Sequence, residues 1–151
     1  MAGASIRLVG GAELAAQLRQ LADEVAGENL KAAVQLGASP IQNSAKEKAP
    51  YKAGHLHRTI HTETKLLSPR AAEATIGTDL IYAGIQEFGG TIKAKNAPYL
   101  VFRTEDGRWH RVKSVTLPAR PYMRPAFDTE KENAVAEIGS ALKALLAKVV
   151  G

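Results

Sequence analysis

The chain has 151 residues, a hydrophobic share of 45% with only 5% aromatics, and a formal net charge of +5. That length suits a single domain over residues 1–151, with a core built mainly from Ala, Leu, Ile and Val. The absence of cysteine excludes disulfides, thiolate metal sites and a cysteine nucleophile, and no stretch approaches the ~20 apolar residues of a membrane span.

The start, Met1-Ala2-Gly3-Ala4-Ser5, lacks the basic and apolar regions of a signal peptide. Ile6-Arg7-Leu8-Val9 reads as a short strand stopped by Gly10-Gly11. From Ala12 the period changes. Leu14, Leu18, Leu21 and Val25 step by four, three and four, which predicts an amphipathic helix. Gly27 weakens it, and a second helical stretch continues through Leu30, Val34, Ile41 and Ala45, with Pro40 interrupting its hydrogen-bond ladder. Ala49-Pro50 to Gly54 closes the helical part. His55 to Thr64 carries β-branched residues with Leu56 and Ile60 in phase and predicts a strand. A turn at Leu67-Ser68-Pro69-Arg70 leads to an antiparallel partner with Ala72, Ala74 and Ile76 on one face.

The most informative stretch follows, Ile81-Tyr82-Ala83-Gly84-Ile85-Gln86-Glu87-Phe88-Gly89-Gly90-Thr91-Ile92. Tyr82, Ile85 and Phe88 lie three apart, as on one face of a short helix, and Gly89-Gly90 stops it. Thr91 and Ile92 then suit a strand. Tyr99 to Arg103 and Trp109 to Val115 flank the Asp106-Gly107 turn signal and predict a β-hairpin. This region is strongly basic, with Arg103, Arg108, Arg111 and Lys113 as candidate contacts to DNA or to an acidic partner. Next come three prolines within Pro118 to Pro125. Pro125 is pre-set for the first turn of a helix that runs to about Val149, with Phe127, Ala134, Ile138, Leu142, Leu145 and Val149 as its apolar stripe.

Chemistry is sparse. His55, His57 and His61 share a face of the predicted strand, but zinc asks for convergent donors from a second element, so exposed histidines are the better reading. Glu63 with Glu73, or Glu87 with Asp79, could form a carboxylate pair, yet such pairs arise by chance among fifteen acids. No serine sits in a nucleophile elbow and no glycine loop has phosphate-binding spacing. Trp109, Tyr99 and Phe102 amid basic residues have the makings of a stacking platform for single-stranded nucleic acid, although aromatic strand residues more often pack a core.

Three segments, in order, resemble one family. Ala49-Pro50 with Gly54, Leu56, Arg58 and Ile60 is similar to its Ala-Pro, Thr-Gly, Leu-Arg, Ser-Ile run, with Ala53 and Thr59 departing from the usual threonine and serine. Tyr82-Ala83 with Glu87-Phe88-Gly89 resembles its Tyr-Ala…Glu-Phe-Gly signature. Pro118 to Phe127 is similar to its Pro-Ala-x-Pro-Phe-x-Arg-Pro-Ala segment. The family is that of the neck, or head–tail joining, proteins of long-tailed double-stranded DNA bacteriophages, also described as minor tail components. The resemblance implies an α+β domain, with an antiparallel sheet, a β-hairpin extension, N-terminal helices and a long C-terminal helix. It implies a non-enzymatic virion part without cofactor or metal, assembled in the host cytoplasm as a ring, a hexamer, around the DNA channel. Partners would be further copies and the neighbouring head-closure and tail proteins, with no membrane. Tyr82, Glu87, Phe88, Gly89, Gly90, Arg120, Pro121, Tyr122, Arg124 and Pro125 become assembly candidates, with Glu87 expected to pair with Arg120 or Arg124. Two alternatives stand beside it: a tail-completion (terminator) protein capping the tube, and a basic nucleic-acid-binding module.

Overall fold

A computed structural model describes residues 11–50 and 55–150, and the side chains of 13–50 and 55–148. The expected strand at Ile6–Val9 and the turn at Tyr51–Gly54 lie outside the described residues. Helix α1 spans Gly11–Glu24 and α2 spans Glu28–Lys48. The break between them falls at Gly27, whose N–H donates to the Pro69 carbonyl (2.7 Å). Helix α2 runs on through Pro40, where the missing N–H deprives only the carbonyl of exposed Leu36.

The segment expected to open a strand at His55 instead forms a helical turn, α3 (His55–Thr59), and strand β1 starts at His61 and runs to Ser68. Leu56 and Ile60 are both buried, as expected, but a spacing of four satisfies the helical period as well as the strand period. Local bonds decide between them. The Thr59 hydroxyl donates back to the His55 and Leu56 carbonyls (3.1 Å each), and the Ile60 N–H donates to Leu56 (3.3 Å). Strand β2 (Ala71–Gly77) pairs with β1, with Ala72, Ala74 and Ile76 on the more sheltered face as predicted.

Helix α4 is the predicted short helix, Ala83–Phe88. Beyond it a long hairpin forms two ladders. Strand β3 (Gly90–Lys93) pairs antiparallel with β6 (Ser114–Leu117), and β4 (Leu100–Arg103) pairs with β5 (Trp109–Val112). The first arm carries five more residues between the ladders than the return arm, so the predicted return strand is broken at Lys113. Helix α5 runs from Met123 to Val150. The fold is α+β, and among the described residues the strands lie in three two-stranded ladders.

The chain divides into two compact units. One comprises residues 1–40, 62–75 and 132–151. Here Gly37 lets α2 approach α5 closely, since a Cβ at this position would lie 2.8 Å from the Ala134 carbonyl oxygen and collide with Ile138. The apolar stripe predicted for α1 is only half sheltered: Leu21 and, just past the end of the helix, Val25 are partly covered, whereas Leu14 and Leu18 remain exposed. The other unit comprises residues 41–61 and 76–131. Its core is small and rich in alanine, with Ala45, Ala49, Leu56, Ile60, Ala83, Tyr122 and Ala126 buried against Ile76, Leu80 and Met123. Tyr122 and Ala126, four apart, form the inward face at the start of α5. Phe127, expected there, is 54% exposed instead, because the helix begins at Met123 and turns it outward.

Candidate functional site

Helix α5 begins with a problem common to every helix: its first backbone N–H groups have no partner within the helix. The first intrahelical bond of α5 is Ala126 N–H to the Tyr122 carbonyl (3.3 Å), so the groups left over belong to residues 122 to 125. Pro125 has no N–H to satisfy. The other three all donate to one carboxylate from 35 residues or more upstream. Glu87 Oε2 accepts from Tyr122 (2.7 Å) and Met123 (2.9 Å), and Oε1 accepts from Arg124 (3.0 Å). A negative charge there also complements the positive end of the helix dipole.

Glu87 is 8% exposed and, with Ala83 one turn earlier, forms the buried side of α4. The face predicted from Tyr82, Ile85 and Phe88 is not the buried one. Tyr82 is 43% exposed and Phe88 79%, and Ile81 just before the helix is fully exposed. The expected partnership of Glu87 with this arginine segment therefore exists within the subunit, but through backbone rather than through a guanidinium. Burial pushes the Glu87 carboxyl upward; the three backbone N–H groups and the charge of Arg124 outweigh it and hold the group below its ordinary 4.5. Tyr122, buried beside that charge and near Tyr82, is pushed the other way.

Two further contacts lock the corner. The Arg120 N–H donates to the Gln86 carbonyl (2.7 Å). Gly89 ends α4 at φ 68°, ψ −179°, a conformation essentially confined to glycine. A Cβ at Gly89 would lie 2.7 Å from Ala119 N and 3.0 Å from the Leu117 carbonyl oxygen. The next residue, Gly90, opens β3 opposite Leu117. The Glu-Phe-Gly-Gly and Pro-rich segments are thus halves of one clamp. Gln86, Leu117 and Ala119 belong to it too. They leave no mark in the sequence, since they act through backbone atoms.

A buried carboxylate with a displaced pKa is often a catalytic candidate. Here both oxygens are committed to the terminus of α5, which assigns the group to structure. Acid should therefore weaken the fold through Glu87. Its folded pKa lies below the unfolded one, so its contribution is complete above about pH 4.5 and fades as pH falls toward the folded value. In urea titrations, the stability gap between wild type and Glu87→Gln should be wide at pH 7 and narrower at pH 3.5. A gap that does not change with pH would contradict this assignment.

The histidines do not converge: His55 and His57 sit on α3, and the His61 Nδ1 lies 2.9 Å from the Thr59 carbonyl oxygen. Among the described residues no cluster of His, Asp and Glu could hold a metal. Of the carboxylate pairs imagined, Glu73 is ion-paired with Lys65 (3.1 Å) across the β1–β2 hairpin and Glu87 is spent on α5.

The β4–β5 register puts Val101 opposite Arg111 and Arg103 opposite Trp109, so these four side chains share one hairpin face and all are exposed. Trp109 is 71% exposed, and the Arg111 guanidinium lies 4.1 Å from the centre of the Tyr99 ring. On the other face Phe102 stacks on His110 at 5.6 Å. Arg103 Nε donates to the Gly107 carbonyl (2.9 Å) and Arg108 pairs loosely with Asp106 (3.6 Å), while Lys113 projects from the break between ladders.

Residues 12–89 match the sequence profile of the HK97-gp10-like family, described as "Bacteriophage HK97-gp10, putative tail-component". The chain belongs to this family of phage tail components. The match runs from α1 through the β1–β2 hairpin to α4 and ends on the Glu-Phe-Gly of the clamp, so it takes in two of the three segments that carried the resemblance. No curated protein and no solved structure matches the chain significantly. In HK97-gp10-like terms, the half of the clamp supplied by residues 117–125 lies beyond the matched region. No helix among the described residues is long and apolar enough to cross a membrane.

Proposed function

We propose that this chain is a neck protein: one subunit of a ring, a hexamer, that surrounds the DNA channel and joins the head-closure complex to the tail of a phage particle. Membership in a family of phage tail components supports a structural, non-enzymatic role in the virion. The observation that carries the reading is the division of labour on α4. Glu87 and Ala83 anchor the helix inside the subunit, while Phe88 at its end and Ile81 and Tyr82 just before it are large side chains exposed to solvent. A rigid mount that presents uncovered apolar surface suits a protein that meets neighbours. Its members α2 and α5 and the β1–β2 hairpin have residues in both compact units, which favours one domain over residues 1–151. The deciding experiment is cryo-electron microscopy of particles with this chain labelled. A ring of label between head and tail is expected, with assembly in the host cytoplasm before the parts join. Label on the end of a headless tail would favour the terminator role, and label along the tube or at the tip would overturn both.

The exposed hairpin face favours a second contact through Arg103, Arg108, Arg111 and Lys113, with DNA in the channel or with an adjoining ring. Contact with duplex DNA should weaken steeply with salt. In that case Arg111→Gln should lower the slope of log binding against log salt by about 1. A chain that ignores DNA at low salt leaves the adjoining ring as the partner.

A further inference from the structure

The hairpin that carries β4 and β5 is charged with one sign. From Lys93 to Lys113 the chain has six lysines and arginines against two acids, Glu105 and Asp106. Both acids sit in the turn at the tip, where Asp106 accepts from the Thr104 hydroxyl and from the Arg108 N–H. The register sets Arg111 across from Val101 and Trp109 across from Arg103, so no acid faces either residue across the ladder. A ligand that complements this face brings negative charge.

Charge alone does not name the ligand, but the rings narrow it. The Arg111 guanidinium already covers Tyr99, at 4.1 Å from the ring centre, and Phe102 is stacked on His110 on the opposite face. Trp109 is 71% exposed. It shares a face with Arg111, two residues further along β5, which is about 7 Å of strand. A guanidinium held against a ring still donates through its N–H groups, and phosphate is an anion that its fork fits. The face of an indole ring is itself negative and repels a carboxylate. An acidic peptide therefore satisfies Arg111 but leaves Trp109 uncovered. Duplex DNA supplies phosphates, yet its bases are buried in their own stack and offer Trp109 no ring face. An unpaired strand offers both in every nucleotide, a neutral flat ring and a phosphate beside it.

We propose that the Trp109 face of the hairpin binds single-stranded DNA, with a base stacked on Trp109 and a neighbouring phosphate on Arg111. This rests on the hairpin contact put forward above and narrows its partner to an unpaired strand. Arg103, across the ladder from Trp109 and tied at Nε to the Gly107 carbonyl, adds a second positive charge beside the ring.

Trp109 is the sole tryptophan of the chain, so its emission reports on the site directly. The purified full chain is titrated at low salt with oligothymidylate of about 16 nucleotides, the upper end of the site size for a single-strand groove. An abasic strand and a duplex of the same length, and polyglutamate, serve as comparisons. Oligothymidylate should quench the emission and bind about tenfold tighter than the abasic strand, which binds through charge and leaves the emission nearly unchanged. Trp109→Ala should abolish that advantage without altering the affinity for the abasic strand, and Trp109→Phe should keep part of it. Arg111→Gln should weaken both strands. Equal binding of the two strands, or binding of oligothymidylate without quenching, overturns the proposal. A duplex that binds as tightly as oligothymidylate and ignores Trp109→Ala also overturns it, but leaves the DNA contact of the hairpin standing. Polyglutamate that matches oligothymidylate assigns the face to an acidic protein instead. Failure of the wild-type chain to bind any of the DNA probes sinks the DNA contact and the stacking site together. The quenching measurement needs only the wild-type chain, so it decides even where a variant does not fold.

Discussion

Replacing Glu87 with alanine lowers the melting temperature by about 10 °C or more. The estimate follows from what the carboxylate does. It accepts every backbone N–H that the start of α5 has to offer, at 2.7, 2.9 and 3.0 Å, from a position 8% exposed. Hydrogen bonds to a charged group contribute about 1.5–3 kcal/mol each. They are not additive, and the freed N–H groups recover some hydration near the surface. A net loss of about 4 kcal/mol is the reasonable centre, and at roughly 2–4 °C per kcal/mol for a chain of this size it gives the stated shift. Glu87→Gln separates charge from shape. It keeps the volume and one acceptor oxygen, but its amide NH₂ must face at least one of the same donors. It should lose about half as much. Thermal unfolding followed by circular dichroism measures both. If Glu87→Gln melts with the wild type, the charge is irrelevant and the clamp has been misread. If Glu87→Ala does so, the clamp does not exist.

The sequence made some of this legible and hid the rest for identifiable reasons. Glycine and proline wrote the boundaries plainly. The stop of α4 at Gly89, the hairpin around Asp106-Gly107 and the start of α5 near Pro125 stand where those residues put them. Periodicity served less well in short elements. Leu56 and Ile60, four apart, fit a strand and a helix equally, and only the backward bonds of Thr59 resolve it in favour of α3. In α4 an apolar spacing of three pointed to Tyr82, Ile85 and Phe88, yet the inward positions are Ala83 and Glu87. That inversion has a cause. A two-turn helix has too little area for apolar residues to dictate its orientation, and a carboxylate with three donors outweighs them. The charge of Glu87 suggested an arginine partner because side-chain pairs are what a sequence can show. Its actual partners are main-chain groups, whose supply depends on where a distant helix starts. Phe127 was misplaced for a related reason: the stripe of α5 is set by Tyr122 and Ala126, which are held in place by the same clamp.

Gly89→Ala should damage the fold from the other side of the corner. At φ 68°, ψ −179° an alanine incurs about 1–3 kcal/mol of backbone strain before any contact is counted. Its Cβ would then stand 2.7 Å from Ala119 N and 3.2 Å from Ala119 Cα, which are main-chain atoms that cannot swing away. Overpacking of that kind typically costs a further 1–3 kcal/mol. A loss of about 3–4 kcal/mol is expected, against a neutral or slightly stabilising Gly84→Ala, since Gly84 lies in the same helix with nothing within 4 Å of a new Cβ. The relief available to Gly89→Ala is a shift of residues 117–119, and that shift draws the chain of Arg120 to Arg124 away from Gln86 and Glu87. The two halves of the corner are therefore coupled. Combining Gly89→Ala with Glu87→Gln should cost clearly less than the two single losses together, because the first change already loosens the bonds that the second removes. Urea unfolding of the four chains gives the coupling directly. Strict additivity would mean that Gly89 and Glu87 act independently, and that the glycine turn and the helix terminus it faces are not one device.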